Sequence, residues 1–227
     1  MKLLLFDIDG TLLVSNGAGR RAMNKSLSSM MGIDTITLKG IDFGGRTDQQ
    51  IIFDILMANG MSTEEAKDAL PDALDAYIAA FTNAFEPHFV TALEGAVELV
   101  KTLADYEHIQ LALLTGNVEK TAYIKVDAIG LNGYFPFGAF GNDFSERSML
   151  PQLAVDRALE FNGHSYKEKD IVIIGDTKHD ILCGKALNVF SVAVSTGHYK
   201  SGDLSQYDPD ILMDDLSNMD KFIELVV

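Results

Sequence analysis

Two carboxylates one residue apart close a short apolar run, Leu5-Phe6-Asp7-Ile8-Asp9-Gly10-Thr11. On extended backbone, side chains two residues apart point the same way, so Asp7 and Asp9 address one site. Acids that close repel, and both ionise at neutral pH only if a cation joins them or another group relieves the pair. On these residues alone, Asp-x-Asp-Gly equally suits a tight turn. Two further apolar runs also stop at polar groups. Leu113-Leu114 is followed by Thr115, Gly116 and Asn117. A Thr hydroxyl and backbone N–H groups at the start of the next helix suit a phosphate oxygen, although Thr115 and Asn117 would serve equally as a helix cap. Ile173-Ile174-Gly175 runs into Asp176, with Asp180 four residues on, in the expected first turn of a helix.

These groups form one site only if the chain brings the three run ends to one edge. Leu3 to Phe6, Ile109 to Leu114, Ala139-Phe140, Ile171 to Ile174, Phe190 to Val194 and Ile211 to Met213 read as buried strands, most of them separated by helical segments. That alternation predicts a parallel sheet covered on both faces, with its ligand crevice beyond the carboxyl ends of the strands. Between the first strand and the others the period is helical. Ala18, Ala22, Met23, Leu27, Met30 and Met31 share one face before Gly32. Thr47 with Gln50, and Ser62 with Glu65, read as capping boxes, and Leu74, Ile78, Phe81 and Phe85 continue a helical stripe. The expected division is a core of residues 1–14 and 91–227 interrupted by an all-helical unit, 15–90.

The N-terminal segment resembles the Asp-x-Asp-Gly-Thr signature of the haloacid dehalogenase superfamily. The segments around Thr115 and Asp176 resemble its second and fourth motifs, the latter as Gly-Asp-x-x-x-Asp. The resemblance implies an α/β fold with a Rossmann-like core and a small inserted helical cap. It also implies a phosphatase in which Asp7 attacks phosphorus to form an aspartyl-phosphate. Asp9 would protonate the leaving oxygen and then act as base on water, a two-step covalent scheme. Thr115, with Gly116 and Asn117, would bind the phosphate. Mg²⁺ would be held by the Asp7 carboxylate, the Asp9 carbonyl, Asp176 and water, in keeping with the oxygen preference of a hard cation. Asp180 is expected just outside those ligands, holding them or Lys178 in position. The chain departs from the pattern at the third motif, where many relatives carry a lysine. Arg147 is the stand-in here, or else a solvated arginine beside Glu146. Gly44-Gly45-Arg46-Thr47-Asp48 resembles a loop in the caps of phosphoglycolate-phosphatase-like members and makes Arg46 the expected substrate contact. Residues 15–50 carry five cations against three acids, a balance that would attract an anion.

Composition narrows the partners. The chain has 227 residues, 47% of them apolar, and a net charge of −15. Its mean field repels nucleic acid and anionic membranes but leaves room for a small phosphorylated metabolite at a basic patch. Cys183 is the only cysteine, so no intrachain disulfide forms, and a reducing, cytoplasmic setting is expected. No signal-like or membrane-spanning run is expected. The five histidines lack metal-ligand spacing. The expected activity is Mg²⁺-dependent hydrolysis of a small phosphate monoester. A β-phosphoglucomutase-type mutase, a haloacid dehalogenase and a non-enzymatic binding protein are the alternatives, and Asp9 argues against the dehalogenase.

Overall fold

The computed structural model describes residues 1–227. In chain order, β1 (Lys2–Phe6) and β2 (Leu13–Val14) precede three helices, α1 (Ala18–Met31), α2 (Asp48–Ala58) and α3 (Thr63–Ala84). Then come β3 (Thr91–Ala92), α4 (Ala96–Ala104), β4 (Ile109–Leu114), α5 (Glu119–Ala128), β5 (Gly138–Ala139) and α6 (Leu150–Asn162). The chain ends with β6 (Ile171–Gly175), α7 (Lys178–Leu187), β7 (Phe190–Val194), α8 (Ser201–Leu204), β8 (Ile211–Met213) and α9 (Met219–Val226). Six strands form one sheet in the order β5-β4-β1-β6-β7-β8, and every pairing in it is parallel. This is the α/β, Rossmann-like architecture expected from alternating strands and helices.

The central strands are apolar on both faces because both faces are covered. Along β1, Leu4 and Phe6 pack with Leu99 of α4, Val126 of α5 and Phe222 of α9. Leu3 and Leu5 point the other way, into Leu150 and Ala154 of α6 and Cys183 of α7. Register sets the site. Phe6 lies opposite Leu113 on one side and Ile174 on the other, so the residues that follow these three strands emerge side by side.

Helices α1 to α3 share a separate cluster that includes Met23, Leu27, Ile52, Ile55, Tyr77 and Phe81. Ser62 and Glu65 form the expected capping box, whereas Thr47 caps α2 alone, because the Gln50 amide turns to Asp54 Oδ1 at 2.9 Å. The stripe expected on Leu74 and Ile78 is rotated: the deepest residues of α3 are Ala66, Ala73, Tyr77 and Phe81, with Leu74 and Ile78 only partly buried. α3 also runs unbroken through Pro71. The chain leaves the sheet and returns to it through β2 and β3, which pair antiparallel, Leu13 with Ala92 and Val14 with Thr91. No helix is long and apolar enough to cross a membrane.

Candidate active site

Asp7, Thr115 and Asp176 each follow the last residues of a central strand, and all three are buried at the same sheet edge. They line a chamber of about 750 Å³ together with Asp9, Asn117 and Arg147. Its far wall is supplied by the helical unit, including Arg20, Arg46 and Tyr77.

Three acids crowd the floor. Ligand oxygens of Asp7, Asp176 and Asp180 lie within 4.8 Å of one another. Arg147 is 7% exposed, so the sequence alternative of a solvated surface arginine does not hold. Its Nη2 donates to Asp180 Oδ1 at 2.5 Å and stands 3.3 Å from Asp7 Oδ1. Burial opposes the guanidinium charge, but Asp180 and Asp7 outweigh it and hold Arg147 protonated. One cation does not balance three acids. Burial pushes the Asp7 carboxyl up to about 6 against the pull of Arg147, and burial with Asp7 and Asp180 raises Asp176 well above the ordinary range.

Asp180 has both oxygens engaged. Oδ2 accepts from the Thr177 N–H at 3.0 Å and its hydroxyl at 2.6 Å, capping α7, while Oδ1 holds Arg147. Of its two expected roles, holding the ligands or holding Lys178, Asp180 does not fill the second, since its carboxylate turns inward to the buried arginine. Asp176 is different: Oδ1 is buried without any hydrogen-bond partner. Its carboxylate fills the space that a Cβ on Gly10 or Gly197 would need, so both positions must be glycine for the acid to sit there.

Asp9 belongs to a second cluster. Its Oδ2 accepts from Asn117 Nδ2 at 2.8 Å and from Lys125 Nζ at 2.6 Å, and its Oδ1 has no partner. Burial would raise the Asp9 carboxyl, but the Lys125 charge and the hydrogen bonds from Lys125 and Asn117 carry it below the ordinary value. Lys125 escaped the sequence reading. The available signal was its place on the stripe of α5 that buries Thr121, Ala122 and Val126, where an unpaired cation would be costly.

Thr115 and Asn117 do not cap α5. Thr115 Oγ1 accepts from the Asn117 N–H at 3.3 Å and Nδ2 at 2.8 Å, which leaves the hydroxyl hydrogen free to donate. The cap comes from the helical unit instead: Asp48 Oδ2 accepts the Val118 N–H at 2.9 Å. The Asp48 N–H in turn donates to the Gly116 carbonyl at 2.7 Å, and a Cβ on Gly116 would strike the Arg46 carbonyl. Thr47 Oγ1 donates to the Ser145 carbonyl at 2.6 Å. The Arg46 side chain lines the chamber but pairs with Asp54 at 2.7 Å, whereas Arg20 lies 4.3 Å from the Phe43 ring centre and has no carboxylate partner.

The chain belongs to the haloacid dehalogenase-like hydrolase family, which it matches over residues 4–194. It is 24% identical over 219 residues to a phosphoglycolate phosphatase of Pseudomonas syringae pv. tomato, covering 96% of this chain and 78% of the relative. It is 25% identical over 213 residues to the pyrophosphatase PpaX of Halalkalibacterium halodurans, covering 92% and 91% of the two chains. Similar folds occur in a hydrolase from Pseudomonas syringae, with TM-score 0.71, 22% identity and full coverage of both chains. A β-phosphoglucomutase from Clostridium difficile also superposes, with TM-score 0.71, 17% identity and coverage of 100% of this chain and 96% of that one.

Asp48 gives a pH-dependent test of the contact between the helical unit and the sheet edge. Burial pushes its carboxyl up to about 6, with Lys125 and the Val118 N–H opposing the rise. A folded-state value above the unfolded one means that ionised Asp48 costs stability above pH 6 and little below pH 4. Asp48→Asn keeps an acceptor and removes the charge. Relative to wild type it should gain on the order of 2 kcal/mol between pH 4 and pH 7 in urea unfolding. A stability difference independent of pH contradicts this.

Proposed function

We propose that the protein is a Mg²⁺-dependent phosphatase that hydrolyses a small phosphate monoester through an aspartyl-phosphate on Asp7. The observation that carries this reading is the convergence of Asp7, Asp9, Thr115, Arg147 and Asp176 on one chamber at the carboxyl edge of the sheet. Membership of a hydrolase family, with similarity to phosphoglycolate phosphatase, supports it.

The donor set fits a hard divalent ion. Three carboxylates lie together with one arginine that pairs with only two of them, Asp176 Oδ1 is buried without a partner, and every acid in the cluster offers oxygen. In this reading Asp7, Asp176 and the Asp9 carbonyl hold Mg²⁺, which supplies charge to offset the phosphate against the acids around it. Asp180 keeps Arg147 in place. Arg147 offsets the Asp7 charge as an anionic substrate approaches. Thr115, with its free hydroxyl hydrogen, and the Gly116-Asn117 backbone bind phosphate oxygens.

Asp7 then forms a bond to phosphorus as the ester P–O bond breaks, and Asp9 gives a proton to the departing oxygen. In the second step water attacks the aspartyl-phosphate, Asp9 takes the water proton, and inorganic phosphate leaves with Asp7 restored. The Lys125 pairing favours the carboxylate form of Asp9, which is the form the second step needs; the first step needs a proton to arrive on it. The helical unit, residues 15–90, acts as a cap that walls the chamber from bulk water during transfer. Arg46 and Arg20 are the cap cations available to the rest of the substrate. In this reading the setting is a reducing, cytoplasmic one and the substrate is a small phosphorylated metabolite. A sugar phosphomutase is the second reading, favoured by a chamber large enough for a sugar phosphate; assaying isomerisation beside phosphate release separates the two.

Purified protein should hydrolyse an aryl phosphate with Mg²⁺ and lose turnover to a chelator. Asp7→Asn should lower kcat at least about a thousandfold with the fold intact by circular dichroism, and full activity in that variant would remove the mechanism. Gly197→Ala pushes a methyl into Asp176. It should raise the Mg²⁺ concentration for half-maximal rate by about tenfold or more, and an unchanged Mg²⁺ titration would dissociate Asp176 from the metal.

A further inference from the structure

Lys125 is 3% exposed in the middle of α5, at a position where an apolar side chain would continue the buried stripe between Ala122 and Val126. Burying an ammonium there brings little net stability, because desolvation offsets most of the attraction to its partner. The ammonium does close a ring of hydrogen bonds. Lys125 Nζ donates to Asp9 Oδ2 and to Asn117 Oδ1, both at 2.6 Å, and Asn117 Nδ2 donates to the same Asp9 Oδ2 at 2.8 Å. The Phe81 ring of α3 lies 5.9 Å from Nζ on the cap side. Two donors therefore share Oδ2, and Oδ1, buried and unpartnered, is the Asp9 oxygen left to exchange a proton.

We propose that Lys125 is a positioning residue for Asp9: by anchoring Oδ2 it fixes the plane of the carboxyl group and presents Oδ1 to the ester oxygen that leaves phosphorus. The same contact sets the Asn117 amide with its NH₂ toward Asp9 and Thr115. This rests on the reading of Asp9 as the proton carrier given above. A weakly basic leaving oxygen departs without a proton, whereas a strongly basic alkoxide needs one. Loss of the anchor should therefore be felt selectively, according to the leaving group.

The test measures kcat and KM of the full chain with Mg²⁺ on 2,4-dinitrophenyl phosphate and on β-glycerol phosphate, for wild type, Lys125→Met, Lys125→Arg and Asp9→Asn. Lys125→Met should lower kcat/KM for the alkyl ester by about a hundredfold or more and for the dinitrophenyl ester by less than about fivefold. The loss should fall in kcat with KM little changed, and Lys125→Arg should recover part of it. Adding Lys125→Met to Asp9→Asn should cost nothing more on the dinitrophenyl ester. Equal losses on both esters, or a rise in KM alone, overturn the proposal, the first pointing to a structural role and the second to a direct phosphate contact. If Asp9→Asn discriminates between the esters and Lys125→Met does not, only the role of Lys125 falls. If Asp9→Asn itself fails to discriminate, the reading of Asp9 falls and takes this one with it. Circular dichroism checks the fold, and Lys125→Gln carries the same comparison if the methionine variant does not fold.

Discussion

The buried arginine between Asp7 and Asp180 is the interaction on which the sheet edge depends. Three acids within ligand distance of one another would not stay folded together if all were ionised and unopposed. Arg147 draws two of them to a single guanidinium, and Thr177 takes the remaining oxygen of Asp180. What remains uncompensated is concentrated on Asp176 and Asp7, at the chamber floor. The local fold thus makes ionisation of these two acids costly until a cation arrives to meet their oxygens, with no hydrogen-bond donor on Asp176 Oδ1 to compete.

A second polar cluster, around Asp9, has the opposite bias. There Asp9 is held by an ammonium and an amide, and its carboxyl is carried down while those on the floor are carried up. Two acids separated by one residue therefore live in different electrostatic surroundings. Environments that push neighbouring carboxyls apart in proton affinity are a common way for one site to divide two tasks between like residues.

Much of this architecture was legible in the sequence, for identifiable reasons. Runs such as Ile109 to Leu114 and Ile171 to Ile174 are apolar on both sides, which only a doubly covered parallel strand requires, and their polar ends mark the sheet edge directly. The meeting of Asp7, Thr115 and Asp176 follows once those runs are placed side by side. Lys125 was hidden because a single lysine in a helical stretch resembles a solvated one until its partner, 116 residues away, is known. The role of Asp48 was hidden for the same reason: its carboxylate accepts from an N–H 70 residues later, at the start of α5. The offset stripe of α3 shows the limit of periodicity, since Tyr77 belongs to the buried apolar cluster and also lines the chamber, which no helical period marks. Arg147 illustrates the middle case, in which the residue was singled out but its burial depended on a carboxylate 33 positions further along the chain.

The short β2–β3 ladder brings the outgoing and returning strands of the helical excursion together as neighbours. An insertion whose two ends already touch imposes almost no geometric demand on the scaffold that hosts it. Lineages could lengthen, shorten or replace the excursion while the strand-end acids kept their places. Recognition of different molecules could in this way diversify on an unaltered reaction centre.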